Sequence, residues 1–154
     1  MNDASSLIIS FSPTPNGFRG YASITDLVAR ELDLQPLLQL AEHIYQSSVV
    51  DLRLQIKKIN QLKAHKDAVP SRLMWRFGDS IFRLVNELDL HGLGVDGLYG
   101  HLVRDLKLKT KWLEKAVTFR RYLDDETRIP EGLNWNVCRD APKRSAIRLG
   151  KVVR

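Results

Sequence analysis

Apolar residues recur at intervals of three and four along most of the chain, which is the spacing of helices with one buried face. Leu27, Val28, Leu32 and Leu34 make the first such series, with Ser23 or Thr25 as its opening residue. Pro36 breaks or restarts it, because proline suits a first helical turn and not a helix interior. Leu37, Leu38, Leu40, Ala41, Ile44 and Tyr45 predict a second helix, and Ser47-Ser48 is its next boundary. Val49, Leu52, Ile56, Ile59 and Leu62 predict a long third helix that Ala68-Val-Pro70 ends. The polar side of that helix carries Arg53, Lys57, Lys58, Lys63 and Lys66, read first as a solvated face. Ser71 is placed to cap a further helix, whose buried face is Leu73, Met74, Phe77, Ile81, Leu84, Val85 and Leu88, widened by Trp75 and Phe82. Gly78 costs that helix propensity, so it predicts the close approach of another backbone.

The first 22 residues lack this period. Leu7 to Phe11 reads as a brief strand or an apolar arm. Ser12-Pro-Thr-Pro-Asn-Gly17 then breaks any regular element, and Phe18 and Tyr21 are candidate anchors. The fold class expected is all-α, a compact bundle of about five to seven helices. Residues 1–22 are expected as a loosely structured arm, 23–140 as the helical domain and 141–154 as a basic C-terminal tail.

Residues 96–123 (DGLYGHLVRDLKLKTKWLEKAVTFRRYL) follow a glycine-punctuated loop at 89–94 and carry the most chemical information. Leu98, Tyr99, Leu102, Val103 and Leu106 make one apolar face, with Asp96 as a cap. Trp112, Leu113, Ala116, Val117, Phe119 and Leu123 make a second, wide apolar stripe, with Thr110 as N-cap. Lys111, Lys115, Thr118, Arg121 and Tyr122 are left facing outward. Two helices joined by a short basic turn are the outline of a helix-turn-helix, which lays its second helix in a DNA major groove. The connection 107–110 lacks the glycine such turns often use. An ordinary helical hairpin with a solvated basic face is the competing reading.

Charge bears on that choice. The chain carries a net charge of +6; from Arg104 onward there are 14 Lys/Arg and 7 Asp/Glu, against 10 and 11 before it. Such segregation is a candidate footprint for a polyanion, although a basic segment also suits a membrane surface or an acidic protein.

Other chemistry is weakly signalled. The single cysteine, Cys138, excludes an intramolecular disulfide and a Cys-based zinc site. His43, His65, His91 and His101 are dispersed, without H-E-x-x-H, and no G-x-S-x-G elbow or phosphate-binding glycine loop is present. Asp124-Asp-Glu126 is read as a solvated turn rather than a metal site, as no second acidic cluster has ligand spacing. The SLIISF run lacks the flanks of a secretory signal, and no apolar stretch approaches the ~20 residues of a membrane span. A cytoplasmic protein without cofactor, metal or catalytic constellation is expected.

Met74-Trp-Arg-Phe-Gly-Asp-Ser-Ile81, then Leu98-Tyr-Gly100 with His101-Leu-Val-Arg-Asp-Leu106, then Phe119-Arg-Arg-Tyr122 and Leu133-Asn-Trp135, form a series of short motifs. Together they resemble the helical N-terminal domain of YhcG-type proteins over roughly residues 70–136. The family's Gly-Phe-Ser connection is replaced here by Lys107-Leu-Lys-Thr110. The resemblance implies a helical module that binds DNA or a partner protein. In the family this module is joined to a PDDEXK-type nuclease domain, for which 154 residues leave no room, so nuclease activity is not expected.

The expected function is therefore DNA binding through a basic helix-turn-helix-like surface, as in a bacterial or mobile-element regulator or accessory factor. Lys107, Lys109, Arg120 and the tail, including Lys143 and Arg144, are candidates for phosphate contacts, and Arg104 and Thr110 complete the candidate surface. Lys111, Lys115, Thr118 and Arg121 are candidates for base edges. A symmetric dimer would add affinity, although no dimer seam is evident. A helical adaptor for a protein partner and an RNA-binding protein are the alternatives. An exposed apolar patch around Phe18, Tyr21, Trp112 or Trp135 would favour the adaptor.

Overall fold

In the computed structural model, which describes residues 7–13, 20–24 and 35–151, most residues are helical. The elements run β1 (Leu7–Pro13), β2 (Gly20–Ile24), α1 (Gln35–Ala64), α2 (Ser71–Leu90), β3 (Leu93–Val95), α3 (Leu98–Leu106), α4 (Thr110–Tyr122), a 3-10 turn (Glu126–Arg128), α5 (Trp135–Arg139) and α6 (Pro142–Lys151). The helical series Leu27 to Leu34, the anchor Phe18 and the final residue Arg154 lie outside the described residues. Ser23, taken as a helix opener, instead belongs to β2.

Three differences from the sequence reading have physical causes. The helices expected on either side of Ser47-Ser48 are one helix of 30 residues, α1. Ala41, Ile44 and Tyr45 keep helical register with Val49, Leu52 and Ile59, all buried, so one face is continuous past the serines. Two serines cost only tenths of a kcal/mol each in propensity, about 0.5 at most. Second, α3 starts without help from the Asp96 carboxylate. Gly97 is the N-cap at φ 67°, and no side-chain cap bond forms. Third, Ser71 opens α2 but turns its hydroxyl inward to Cys138 Sγ at 3.7 Å.

The chain divides into two compact units, each built from non-adjacent stretches. Unit 1 comprises residues 1–51 and 83–110. Its sheet has the order β2-β1-β3, with β1 antiparallel to β2 and parallel to β3. Ile9 and Phe11 are buried, Ile8 before them is exposed and Ser10 between them is half-buried, the period-two alternation of a one-sided sheet. Phe11 stacks on the buried Tyr45 ring of α1 with centroids 4.0 Å apart. Strand β3 reaches only as far as Ile9 of β1, where the Asp96 N–H still bonds the Ile9 carbonyl at 2.8 Å. Beyond that point α3 side chains serve the edge: Arg104 donates to the Phe11 carbonyl at 3.1 Å, and His101 Nε2 lies 3.3 Å from the Phe11 nitrogen. The arm expected to be loosely structured thus contributes, over its described residues, two strands whose backbone groups pair within unit 1.

Unit 2 comprises residues 52–82 and 111–154. Its core gathers Leu52, Ile59, Met74, Phe77, Ile81, Leu113, Val117, Phe119 and Trp135. Gly78 of α2 lets α4 come close. A Cβ there would stand 2.5 Å from the Ala116 carbonyl oxygen, a distance no real Cβ tolerates. The segment after α4 folds back on the start of α2. Ser71 N–H bonds Leu133 O at 2.7 Å and Trp135 N–H bonds Val69 O at 2.8 Å, so the Leu133-Asn-Trp135 motif clamps the α2 entry. Trp75 Nε1 donates to Leu123 O at 2.7 Å, and Arg72 Nε donates to Ile129 O at 2.8 Å.

Candidate nucleic-acid interface

The division into units sharpens the charge segregation. Residues 52–82 and 111–154 carry 18 Lys/Arg and 8 Asp/Glu, while the remainder carries 6 and 10. Unit 2 is thus +10 and unit 1 is −4. The basic side of α1 beyond Leu52 and the start of α2 belong to the cationic unit, which a linear split of the chain hides.

Some of these cations are already engaged. Arg76 pairs with Glu126 at 2.6 Å, and the neighbouring Asp125 caps the 3-10 turn by accepting from Thr127 N–H and Oγ1. Arg120, expected as a phosphate contact, is packed instead. Its Nε donates to Asp79 at 2.9 Å, and its guanidinium lies 4.6 Å from the Phe82 ring and 5.2 Å from the Trp75 ring. Only 19% of that side chain is exposed, because position 120 falls on the α4 side facing α2. Arg104 is also bound. Its Nε and Nη2 fork onto the Asp105 carboxylate at 2.8 and 2.9 Å, and Asp105 is wholly buried. The phenol of Tyr45 donates to the same carboxylate at 2.5 Å. Burial first, then the bond to Asp105, raises the phenol far above its ordinary pKa, while Asp105 raises that of Arg104. Arg104 therefore completes a sheet edge and neutralises a buried acid.

The other expected residues are placed differently. Lys107, Lys109 and Thr110 are exposed in the three-residue connection and at the first position of α4. Lys107 itself adopts the left-handed conformation at φ 55°, and its N–H bonds Val103 O, so lysine fills the place glycine usually takes. On α4, Lys111 and Arg121 are exposed, and Lys115 and Thr118 are half-buried. Lys111, Lys115, Thr118 and Tyr122 follow one another at steps of four, three and four, so they form one stripe. Glu114 is the one acid on this outer side.

The stripe continues onto α6, the element that the sequence reading treats as a tail. Lys143 Nζ lies 4.9 Å from the centroid of the Tyr122 ring. Thr118 of α4 shares a surface pocket of about 460 Å3 with Ala141, Pro142, Lys143, Arg144 and Ile147. Ala146 anchors α6 in the core, and Arg144, Arg148 and Lys151 form an exposed row along it at steps of four and three. At the opposite end of α4, Lys63 of α1 lies 5.8 Å from the Trp112 ring, which packs edge-on against Phe77. The structure thus brings Thr118, Lys143 and Arg144 together, though they are distant in sequence. Sequence reasoning missed the Tyr122–Lys143 contact, and the signal available for it was α6's own pattern: Ala146, Ile147 and Leu149 inside a run of cations.

No helix among the described residues is long and apolar enough to cross a membrane. No cluster of three or more His, Cys, Asp or Glu among them is arranged to hold a metal ion. Comparisons with protein-family models, with curated proteins and with solved structures find no match for this chain.

Proposed function

We propose that the protein binds DNA through the α4–α6 face of its basic unit. The observation that carries this reading is the unbroken stripe from Lys111 through Lys115 and Thr118 to Tyr122, extended by Lys143 and Arg144. None of Lys111, Lys115, Arg121, Lys143 and Arg144 makes an ion pair among the described residues, so each is available to a phosphate or a base edge. Arg121 is the candidate for bidentate contact with guanine, and Lys143, Arg144 and Arg148 suit sequence-independent phosphate contacts. The recognition helix in this reading is α4, entered through the short basic connection at 107–109. The resemblance to the YhcG-type helical domain points the same way. Of the residues whose exposure would favour the adaptor, Trp135 is buried and Trp112 is half-buried against Phe77, while Phe18 and the Tyr21 side chain lie outside the described residues.

Site selection from a random duplex pool, followed by competition binding, tests the assignment. Arg121→Ala is expected to flatten sequence preference at one position, by about 1–3 kcal/mol of discrimination. Lys143→Ala is expected to weaken all duplexes alike. Wild-type behaviour in both variants would remove this surface from consideration.

A further inference from the structure

The pocket between α4 and α6 has a composition that phosphate contacts leave unexplained. Thr118, Ala141, Pro142 and Ile147 give it a largely apolar floor, while Lys143 and Arg144 supply charge at its rim. It is an open depression of about 460 Å3, accessible to a flat group from solvent. Beside it Tyr122 is 41% exposed, with a lysine ammonium over one face of its ring. A phosphate has no use for an apolar floor or an aromatic face. A nucleobase has: its faces are flat and apolar, and its own strand carries phosphates on either side.

We infer that this pocket receives an unpaired nucleotide, with the base on the apolar floor against Tyr122 and the flanking phosphates held by Lys143 and Arg144. The inference rests on the nucleic-acid reading above and adds the form of the partner. In an intact duplex the bases are stacked within the helix and offer only their edges, so no base face reaches such a pocket. The partner therefore has a single-stranded end, a gap or an extruded base next to the paired region that α4 meets. Lys143 is exposed on a flexible stem, so it can leave the ring for a phosphate as the base arrives. The charge of unit 2, +10, supplies the complementarity for that strand.

The test compares a blunt DNA duplex with the same duplex bearing a three-nucleotide single-stranded overhang of DNA or of RNA. Fluorescence anisotropy is read at low salt for the wild type, Ala141→Phe and Tyr122→Leu. Ala141→Phe fills the pocket without altering charge, and Tyr122→Leu keeps an apolar contact but removes the aromatic face. The expected result is that an overhang tightens wild-type binding about tenfold, on the scale of one base–aromatic stack. That advantage disappears in Ala141→Phe and shrinks in Tyr122→Leu, while blunt-duplex affinity in Ala141→Phe stays at the wild-type level. The DNA and RNA overhangs then tell which strand the pocket prefers. Equal affinity for blunt and overhanging duplexes overturns the pocket assignment alone, as does an overhang advantage that survives both substitutions. Absence of binding to every probe overturns the underlying nucleic-acid reading as well.

Discussion

Asp105, Arg104, Tyr45 and His101 show how much a single residue's role depends on partners far away in sequence. Asp105 lies at the end of an apolar helix face, and it is fully buried and accepts from a phenol 60 residues earlier. Asp105→Ala would leave that phenol and part of the Arg104 guanidinium without their acceptor. The expected loss is about 3 kcal/mol of stability, read from the urea midpoint at constant m. His101 contributes a pH dependence. Burial, and secondarily the Arg104 charge, hold its pKa below the ordinary value, against the opposing pull of the Asp96 carbonyl, Asp105 and Asp96. A neutral ring can accept from Phe11 N–H or from Arg104; an imidazolium can accept from neither. As pH falls from about 6.5 through the depressed value, the unfolded chain takes up a proton that the folded ring resists. Stability from this residue is therefore full above that window and declines within it. Urea midpoints at pH 7.5 and 5.5 should differ less for His101→Gln than for the wild type. Arg120→Ala should behave as a packing variant, losing about 1–3 kcal/mol, because it removes an ion pair and two ring contacts together. Its remaining folded fraction should bind nucleic acid with an unchanged salt slope. The charge of Arg104 and Arg120 was legible in the sequence; their partners at Phe11 and Asp79 were not, since nothing local announces them.

At the level of elements, helical periodicity gave α2, α3 and α4 with their faces, because each buries one stripe against its own unit. Gly78 was legible for the same reason: a glycine inside an otherwise strong amphipathic helix needs an external cause. Gly78→Ala should lower stability by about 2 kcal/mol, the overpacking penalty less the gain in helix propensity, in thermal or urea unfolding. The sheet was legible only in part. Ile9 and Phe11 alternate as a strand should, but β3 is three residues long, contains Gly94, and pairs with a strand more than 80 positions earlier in the chain. Its formation is a long-range event that no local window contains. Lys107 is the opposite case, a position where the expected glycine is absent and the backbone turns left-handed regardless. Lys107→Gly should add about 0.5 kcal/mol, since relief of the left-handed strain exceeds the entropy that glycine loses. The same substitution removes an exposed cation from the connection, so stability and affinity should move in opposite directions if Lys107 meets a phosphate.

For the whole molecule, the informative quantity is the distribution of charge over units that the chain assembles from separated stretches. The sequence places the excess of cations in its last third, whereas the folded chain recruits residues 52–82 into the same cationic unit. No pattern along the chain marks the passage between units at Leu52 or Arg83, because both fall inside uninterrupted helices. The candidate surface was legible as a set of outward residues on α4. Its continuation onto α6 depended on the Tyr122–Lys143 contact and on Ala146 being buried, and both are tertiary facts. The central claim is that this surface binds a polyanion through several phosphate contacts at once. It is tested most directly by the affinity of the purified protein for duplex DNA at 50 and 200 mM salt, with Lys111→Ala/Arg144→Ala measured alongside. With about five phosphates neutralised, affinity should fall several hundredfold between the two conditions, and the double substitution should reduce the log–log slope by about 2. Binding that is absent at 50 mM salt, or that is indifferent to salt and to both substitutions, would contradict it.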